Sequence, residues 1–134
     1  MILPNSTLVA VLDGTSMRLF HNRGHEPHIQ LVPLDAPDLD RANAGSGTRH
    51  RSSTANPDDS RQQEDNFAAA AAAYLNGEAL AGRIDHAVII ADPRTLGELR
   101  KHFHDALSAK LVGELPRNLV KHTPSEIEST LISA

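Results

Sequence analysis

Cysteine is absent from the 134 residues of this sequence. Without thiols the chain can form no disulfide framework, hold no thiolate-bound zinc and use no cysteine nucleophile. It also lacks any apolar run near the ~20 residues that a membrane-spanning helix needs. Residues 1–6 contain neither the basic segment nor the long apolar segment of a secretory signal. We therefore expect a cytoplasmic protein that does not associate with membranes.

An excess of basic charge is also missing. Thirteen lysines and arginines face 17 aspartates and glutamates, a formal net charge of −4. This balance argues against a protein that coats nucleic acid without specificity, although a local basic patch is compatible with it. The length is typical of one domain, and we predict a single domain over residues 1–134.

Recognisable catalytic motifs are lacking as well. The sequence contains neither a Gly-x-Ser-x-Gly nor a Walker pattern, and no local motif indicates which serine, histidine and aspartate would form a catalytic triad. His21, His25 and His28 cluster in sequence, but strand alternation sends neighbours to opposite faces, and no acidic partner is recognisable. We predict no catalytic residue, metal site or cofactor, and we favour a non-enzymatic role.

The first 34 residues are typical of three strands. Short β-branched and apolar runs cover residues 6–12, 16–21 and 26–34, which predicts an antiparallel meander. In the second run, alternation places Met17 and Leu19 on one face and Phe20 on the other. Pro27 and Pro33 lack an amide donor and favour an edge position in the third run.

Asp13 and Gly14 separate the first two runs. Asp-Gly predicts a two-residue hairpin turn, because glycine accepts positive φ without a Cβ clash. The alternative is a phosphate-binding turn formed by Asp13-Gly14-Thr15, as in actin-like kinases, with backbone amides around a phosphate. That alternative would make the protein a small phosphate-binding hydrolase.

The second half alternates between helix and strand. Ser60 and Gln63 have capping-box spacing and predict a helix that begins at Ser60 and stops at Asn76-Gly77. An apolar run at 85–91 predicts a strand buried on both faces. Asp92-Pro93 opens another helix, whose apolar stripe consists of Leu96, Leu99, Phe103, Ala106 and Leu107.

Three further elements complete the prediction. Residues 110–115 and 118–121 are strand candidates, and Thr123 and Glu126 have the spacing of a capping box that opens a final helix. The order is β-β-β-loop-α-β-α-β-α. The fold class is therefore α/β, a mixed β-sheet with an N-terminal antiparallel three-strand meander and helices packed on it.

A long loop at about 37–59 has almost no large apolar side chains. It is rich in glycine, serine and arginine, and a loop of this length is either functional or disordered. We predict that residues 44–55 are the most mobile internal segment, because little apolar burial offsets the cost of ordering them. The candidate RNA- or phosphate-binding residues are Arg41, Gly45, Gly47, Arg49, His50, Arg51 and Arg61.

An ordered set of short motifs resembles the bacterial host attachment protein family, proteins required for attachment to host cells. The motifs are Val9 to Gly14, Arg18-Leu19-Phe20, Arg49 to Ser53, Phe67-Ala68, Val88 to Pro93, Leu96 to Arg100 and Thr123-Pro124-x-Glu126-Ile127-Glu128. The resemblance spans about residues 6–132. It implies a fold similar to the middle domain of archaeal and eukaryotic peptide release factors and of Pelota.

Release factors carry Gly-Gly-Gln in the loop that corresponds to 37–59, where it helps position the water that attacks peptidyl-tRNA. This sequence has Gly45-Ser46-Gly47 instead, and Gln62 and Gln63 come later, so peptidyl-tRNA hydrolysis is not implied. The resemblance implies a non-catalytic ribosome- or RNA-associated factor. The alternative is an intracellular interaction protein that influences attachment to host cells.

Overall fold

The structure is a computed structural model that describes residues 1–37, Leu39 and residues 57–134, with residues 57–60 described by their backbone alone. Within these residues the strands are β1 (Leu8–Leu12), β2 (Met17–Asn22), β3 (Leu31–Leu34), β4 (Ala87–Ala91) and β5 (Leu111–Pro116). The helices with described bounds are α1 (Pro57–Leu80), α2 (Pro93–Arg100), α3 (Asp105–Ser108) and α4 (Pro124–Ser133). In the part of the chain that is described, no helix is long and apolar enough to cross a membrane.

The five strands form one mixed sheet in the order β3-β2-β1-β4-β5. β1 pairs antiparallel with β2, and β2 pairs antiparallel with β3, which confirms the predicted meander. β4 lies parallel to both β1 and β5. The mixed α/β class is confirmed, and β3, which contains Pro33, is an edge strand as expected.

Helices cover both faces of this sheet. On one face, alternate residues of β1 and β2, including Met17 and Leu19, pack with α1, α2 and α3. On the other face, Val9 and Phe20 pack with α4. All five residues of β1 and of β4 are buried, because each of these central strands has helices on both sides.

Helix α1 is longer than predicted at both ends. It begins at Pro57 and continues through Leu80, so Ser60 and Gln63 lie inside the helix and are not its cap. Asn76-Gly77 does not stop it either. The helix ends where Gly82 adopts φ 79° and its amide bonds to the carbonyl of Ala79, while the amide of Arg83 bonds to the carbonyl of Glu78. This is a Schellman motif, which needs a left-handed residue that glycine adopts without strain.

The apolar stripe after β4 belongs to two helices. Asp92 caps α2 by accepting from the amide of Thr95 at 3.1 Å, as predicted, but α2 ends at Arg100. His104 then caps α3 by accepting from the amide of Ala106 at 2.9 Å. The stripe stays continuous in space, because side chains of both helices enter the same core cluster.

Two predictions for the last third have different outcomes. Residues 118–121 do not form a strand, because the chain leaves the sheet after Pro116 and crosses to α4. The capping box of α4 is confirmed: Glu126 donates its amide to the Thr123 hydroxyl at 3.2 Å, and the Glu126 carboxylate accepts from the Thr123 amide at 2.8 Å.

The third strand is shorter than predicted, because residues 23–30 fold around Asn22. Its side chain, 0% exposed, donates to the carbonyls of Leu3 and Pro4 at 3.2 Å and accepts from the amides of Gly24 at 2.9 Å and Gln30 at 3.0 Å. The carboxamide takes the Gln30 amide that a continued ladder would use, although the Arg23 amide still donates to the Gln30 carbonyl at 2.8 Å. The regular strand therefore begins only at Leu31.

Candidate functional site

The parallel strands β1, β4 and β5 end at the same edge of the sheet, which we call the carboxyl edge. The turn 13–16, the start of α2 and the segment after β5 all follow these strand ends. Both flanks of the predicted loop also lie at this edge, since β3 runs toward it and α1 starts from it. In open α/β sheets the carboxyl ends of strands are where ligands bind.

The turn between β1 and β2 has four residues and is not the two-residue hairpin that was predicted. Leu12 pairs with Met17, and the Asp13 amide bonds to the Ser16 carbonyl at 3.1 Å. One carboxylate oxygen of Asp13 accepts from the amides of Thr15 and Ser16, both at 2.8 Å, and from both hydroxyls. The Asp13 side chain therefore stabilises the turn by accepting hydrogen bonds from the backbone amides that follow it.

Gly14 is required in this turn for space and not for positive φ. A Cβ atom there would lie 2.8 Å from Cγ of Glu64 on α1. The absent side chain lets the first turns of α1 pack directly on the β1–β2 turn. The glycine therefore couples the carboxyl edge to the helix that follows the predicted loop.

Burial and hydrogen bonding act in opposite directions on the pKa of Asp13. Partial burial by itself would raise the pKa of Asp13, but the hydrogen bonds from Thr15 and Ser16 outweigh it and hold that pKa below the usual 3.8. The carboxylate is thus ionised at neutral pH, with one oxygen engaged within its own turn. This arrangement does not favour the alternative in which Asp13 holds a metal–phosphate group.

Replacing Asp13 with alanine should lower the free energy of unfolding by about 1 kcal/mol at neutral pH, because two turn amides lose their acceptor. A lowered pKa stabilises the fold above the unfolded-state pKa, and this stabilisation is lost as pH falls through the folded-state pKa. The difference from wild type should therefore shrink below about pH 4 in urea unfolding. Asp85→Ala, which removes an exposed carboxylate, is the control. A constant difference down to about pH 2 would contradict this assignment.

Arg94 joins the start of α2 to the start of α1. Its guanidinium donates to Glu64 at 2.7 Å and to Asp65 at 2.9 Å. The three side chains are 32–42% exposed, so we assign the network a stabilisation of at most about 1 kcal/mol. Together with the close contact between Gly14 and Glu64, the network fixes α1 to the carboxyl edge at residues 64–65.

Arg61 is the one predicted site residue within the described part of the chain, and it lies exposed on the first turns of α1. The other six predicted site residues, Arg41, Gly45, Gly47, Arg49, His50 and Arg51, lie outside the described residues, as does most of the 37–59 loop and the whole of the segment predicted to be most mobile. Among the residues that the structure does describe, no group of three or more histidines and carboxylates is placed to hold a metal ion.

Arg18 is a residue of this edge whose role the sequence did not reveal. Its Nη1 donates to the carbonyl of Val120 at 2.9 Å and to that of His122 at 2.7 Å. Its guanidinium carbon also lies 4.9 Å from the ring centroid of Phe20. The alternation of β2 places Arg18 and Phe20 on one face, but its partners lie more than 100 residues away, so no local pattern could indicate them.

Comparison with protein families agrees with this architecture. The sequence matches the model of bacterial archaeo-eukaryotic release factor family 12 over residues 6–131. The chain belongs to this family. The release-factor resemblance drawn from the sequence motifs is thereby confirmed, whereas the host attachment family is not the one that matches. No curated protein is a significant match to the chain.

Membership in release factor family 12 also clarifies the geometry. The match includes the meander, the loop, α1 and the remaining α/β units, so the whole sheet with its carboxyl edge belongs to the family domain.

Proposed function

We propose that this release factor family member is a ribosome-associated, RNA-binding protein without hydrolytic activity, which presents the loop between Arg41 and Arg61 to its target. The family match over residues 6–131 is the observation that carries the proposal. The arginines of the loop would contact phosphates, and Gly45 and Gly47 would allow close approach of the backbone to RNA.

The position of the loop flanks supports this proposal. Leu39 is 6% exposed and packs in the core between the sheet and α1, so the chain is anchored two residues before Arg41. After the loop, Glu64 and Asp65 tie α1 to Arg94. Because both ends of the segment are fixed to a rigid sheet, its orientation toward a partner is largely set before binding.

The absence of Gly-Gly-Gln supports a non-catalytic role. The sequence contains no two adjacent glycines, and the two glutamines nearest the loop, Gln62 and Gln63, lie on α1 with exposed side chains. Gln62 donates to Asn66 at 3.1 Å along the helix surface. These glutamines therefore serve as surface residues of a helix in the described arrangement.

Co-sedimentation with purified ribosomes tests the proposal. We expect the protein to pellet with ribosomes at about 50 mM salt and much less at about 200 mM, because phosphate contacts are weakened by salt. Arg49→Ala/Arg51→Ala should reduce binding about tenfold, while stability changes by less than about 0.5 kcal/mol. Arg23→Ala/Lys110→Ala removes the same charge from the opposite edge of the sheet and should bind like wild type.

Failure of the wild-type protein to pellet at low salt would refute the proposed function. A large loss of stability in the loop variant would show instead that these arginines support the fold. Equal loss of binding in the control variant would show that total charge, and not the loop, governs binding.

Among the residues that the structure describes, no contact favours either alternative function. Influence on attachment to host cells remains a prediction of the sequence resemblance, and it could arise indirectly from an RNA-associated role. A phosphate-binding hydrolase would have to hold its metal ion with the second oxygen of Asp13, because the first accepts from Thr15 and Ser16. Nucleotide with Mg²⁺ bound near Asp13 would revive the second alternative.

A further inference from the structure

A second basic surface lies at the carboxyl edge, in the segment that follows β5. Residues 115–125 include Arg117, Lys121 and His122 and contain no carboxylate, in a chain whose net charge is −4. All three side chains are exposed, and the His122 imidazole lies 3.5 Å from the Glu126 carboxylate, so Arg117 and Lys121 carry the basic character of the segment. Within the described part of the chain, neither Arg117 nor Lys121 forms an ion pair with a carboxylate. We call residues 115–125 the basic crossover.

The basic crossover is held firmly to the fold. Leu119 and Val120 are each 7% exposed and belong to the core beneath α4. Arg18 binds the carbonyls of Val120 and His122, and the capping box of α4 closes the segment at Thr123. The exposed cations therefore project from an ordered backbone, which lowers the entropy that binding would cost.

Its placement relates the basic crossover to the predicted loop. The crossover starts at the end of β5 and crosses to Arg18 near the start of β2, on the α4 side of the sheet. The loop flanks lie at the same carboxyl edge on the α1 side. Between the two faces the edge carries Asp13 and the Arg94 network, so the cations of the crossover form a separate basic surface.

We propose that the basic crossover binds RNA phosphates, with Arg117 and Lys121 as the contacting side chains, so that the domain holds RNA at two places along its carboxyl edge. This inference rests on the proposed function, because it takes RNA as the partner of that edge. Exposed arginine and lysine on an ordered segment suit phosphate contacts, which position a partner without reading its sequence. An acidic peptide is the competing occupant that the experiment separates.

The test measures filter binding to purified ribosomal RNA over a salt series. It compares three double variants: Arg117→Ala/Lys121→Ala, Arg49→Ala/Arg51→Ala and Arg23→Ala/Lys110→Ala. Arg117→Ala/Lys121→Ala should weaken binding about three- to tenfold at low salt, and the slope of log affinity against log salt should fall by about 1.4 to 1.8, or 0.7 to 0.9 per phosphate contact. Arg23→Ala/Lys110→Ala is the matched control and should retain the wild-type slope. Thermal unfolding of each variant establishes that it is folded.

The outcomes separate this inference from the proposed function. If wild type binds RNA and Arg49→Ala/Arg51→Ala weakens binding, but Arg117→Ala/Lys121→Ala leaves affinity and slope unchanged, only the basic crossover is refuted. If wild type binds no RNA at low salt, both proposals fail. Binding of a poly-glutamate peptide that depends on Arg117 and Lys121, without any effect of these residues on RNA, would overturn the choice of RNA.

Discussion

Replacing Asn22 with alanine is expected to lower the free energy of unfolding by about 3 kcal/mol, which for a domain of this size corresponds to a fall in melting temperature of roughly 10 °C. The carboxamide makes four hydrogen bonds to backbone groups of Leu3, Pro4, Gly24 and Gln30. Removing it takes this partner from the Leu3 carbonyl and from the amides of Gly24 and Gln30, at a site that is buried or half-buried, whereas the Pro4 carbonyl keeps its bonds from Thr7. Each unsatisfied buried group costs about 1–3 kcal/mol.

Chemical denaturation followed by circular dichroism measures this effect. Asn118→Ala is the matched control, because Asn118 is exposed and should change stability by less than about 0.5 kcal/mol. Asn22→Asp keeps an acceptor for Gly24 and Gln30 but loses the amide donors and buries a charge, so it should not restore stability. A loss below about 1 kcal/mol for Asn22→Ala would show that water replaces the carboxamide.

Replacing Ala72 with leucine is expected to destabilise the protein by about 2 kcal/mol. Ala71 and Ala72 are 0% exposed and Ala68 is 1% exposed, where α1 packs against the sheet and α2. Small side chains let the helix axis lie close to the strands. A leucine has no space there unless the helix moves away, and such overpacking costs about 1–3 kcal/mol.

Ala73→Leu provides a stringent control. It is the same substitution one residue along the same helix, but Ala73 is exposed. Alanine and leucine are similar in helix propensity, so Ala73→Leu should leave α1 itself unaffected and should change stability by less than about 0.5 kcal/mol. Equal effects of the two variants in urea unfolding would mean that the alanines serve helix propensity alone.

The proposed binding surfaces depend on these structural features to different degrees. The Asn22 network lies at the edge opposite the carboxyl edge, so its loss should lower stability without altering RNA contacts in the folded protein. The alanine face of α1, formed by Ala68, Ala71 and Ala72, sets the distance between this helix and the sheet. Because α1 follows the loop directly, the alanine face also affects where the loop ends. Comparing the RNA affinity of Asn22→Ala with that of Ala72→Leu, under conditions where both are folded, therefore separates effects on stability from effects on binding.

The sequence by itself determined the elements whose signals are local. The capping box at Thr123, the cap at Asp92 and the alternation of Met17, Leu19 and Phe20 each involve residues at most four apart, and all three were predicted correctly. The buried run before Asp92 likewise predicted a central strand. The ordered set of these signals was enough to suggest a release-factor-like domain, which the family match over residues 6–131 confirms.

Only the tertiary structure decided the features that depend on partners distant in sequence. Gly14 meets Glu64, Arg18 meets the basic crossover, and Asn22 holds residues 3–4 together with Gly24 and Gln30. The boundaries of α1 also moved outward, because packing of its alanine face on the sheet outweighs the weak local preferences of Ser60 and Asn76-Gly77. Local sequence patterns reflect interactions between residues that are close along the chain. The sheet also brings together residues that are far apart in sequence, and no local pattern indicates those contacts.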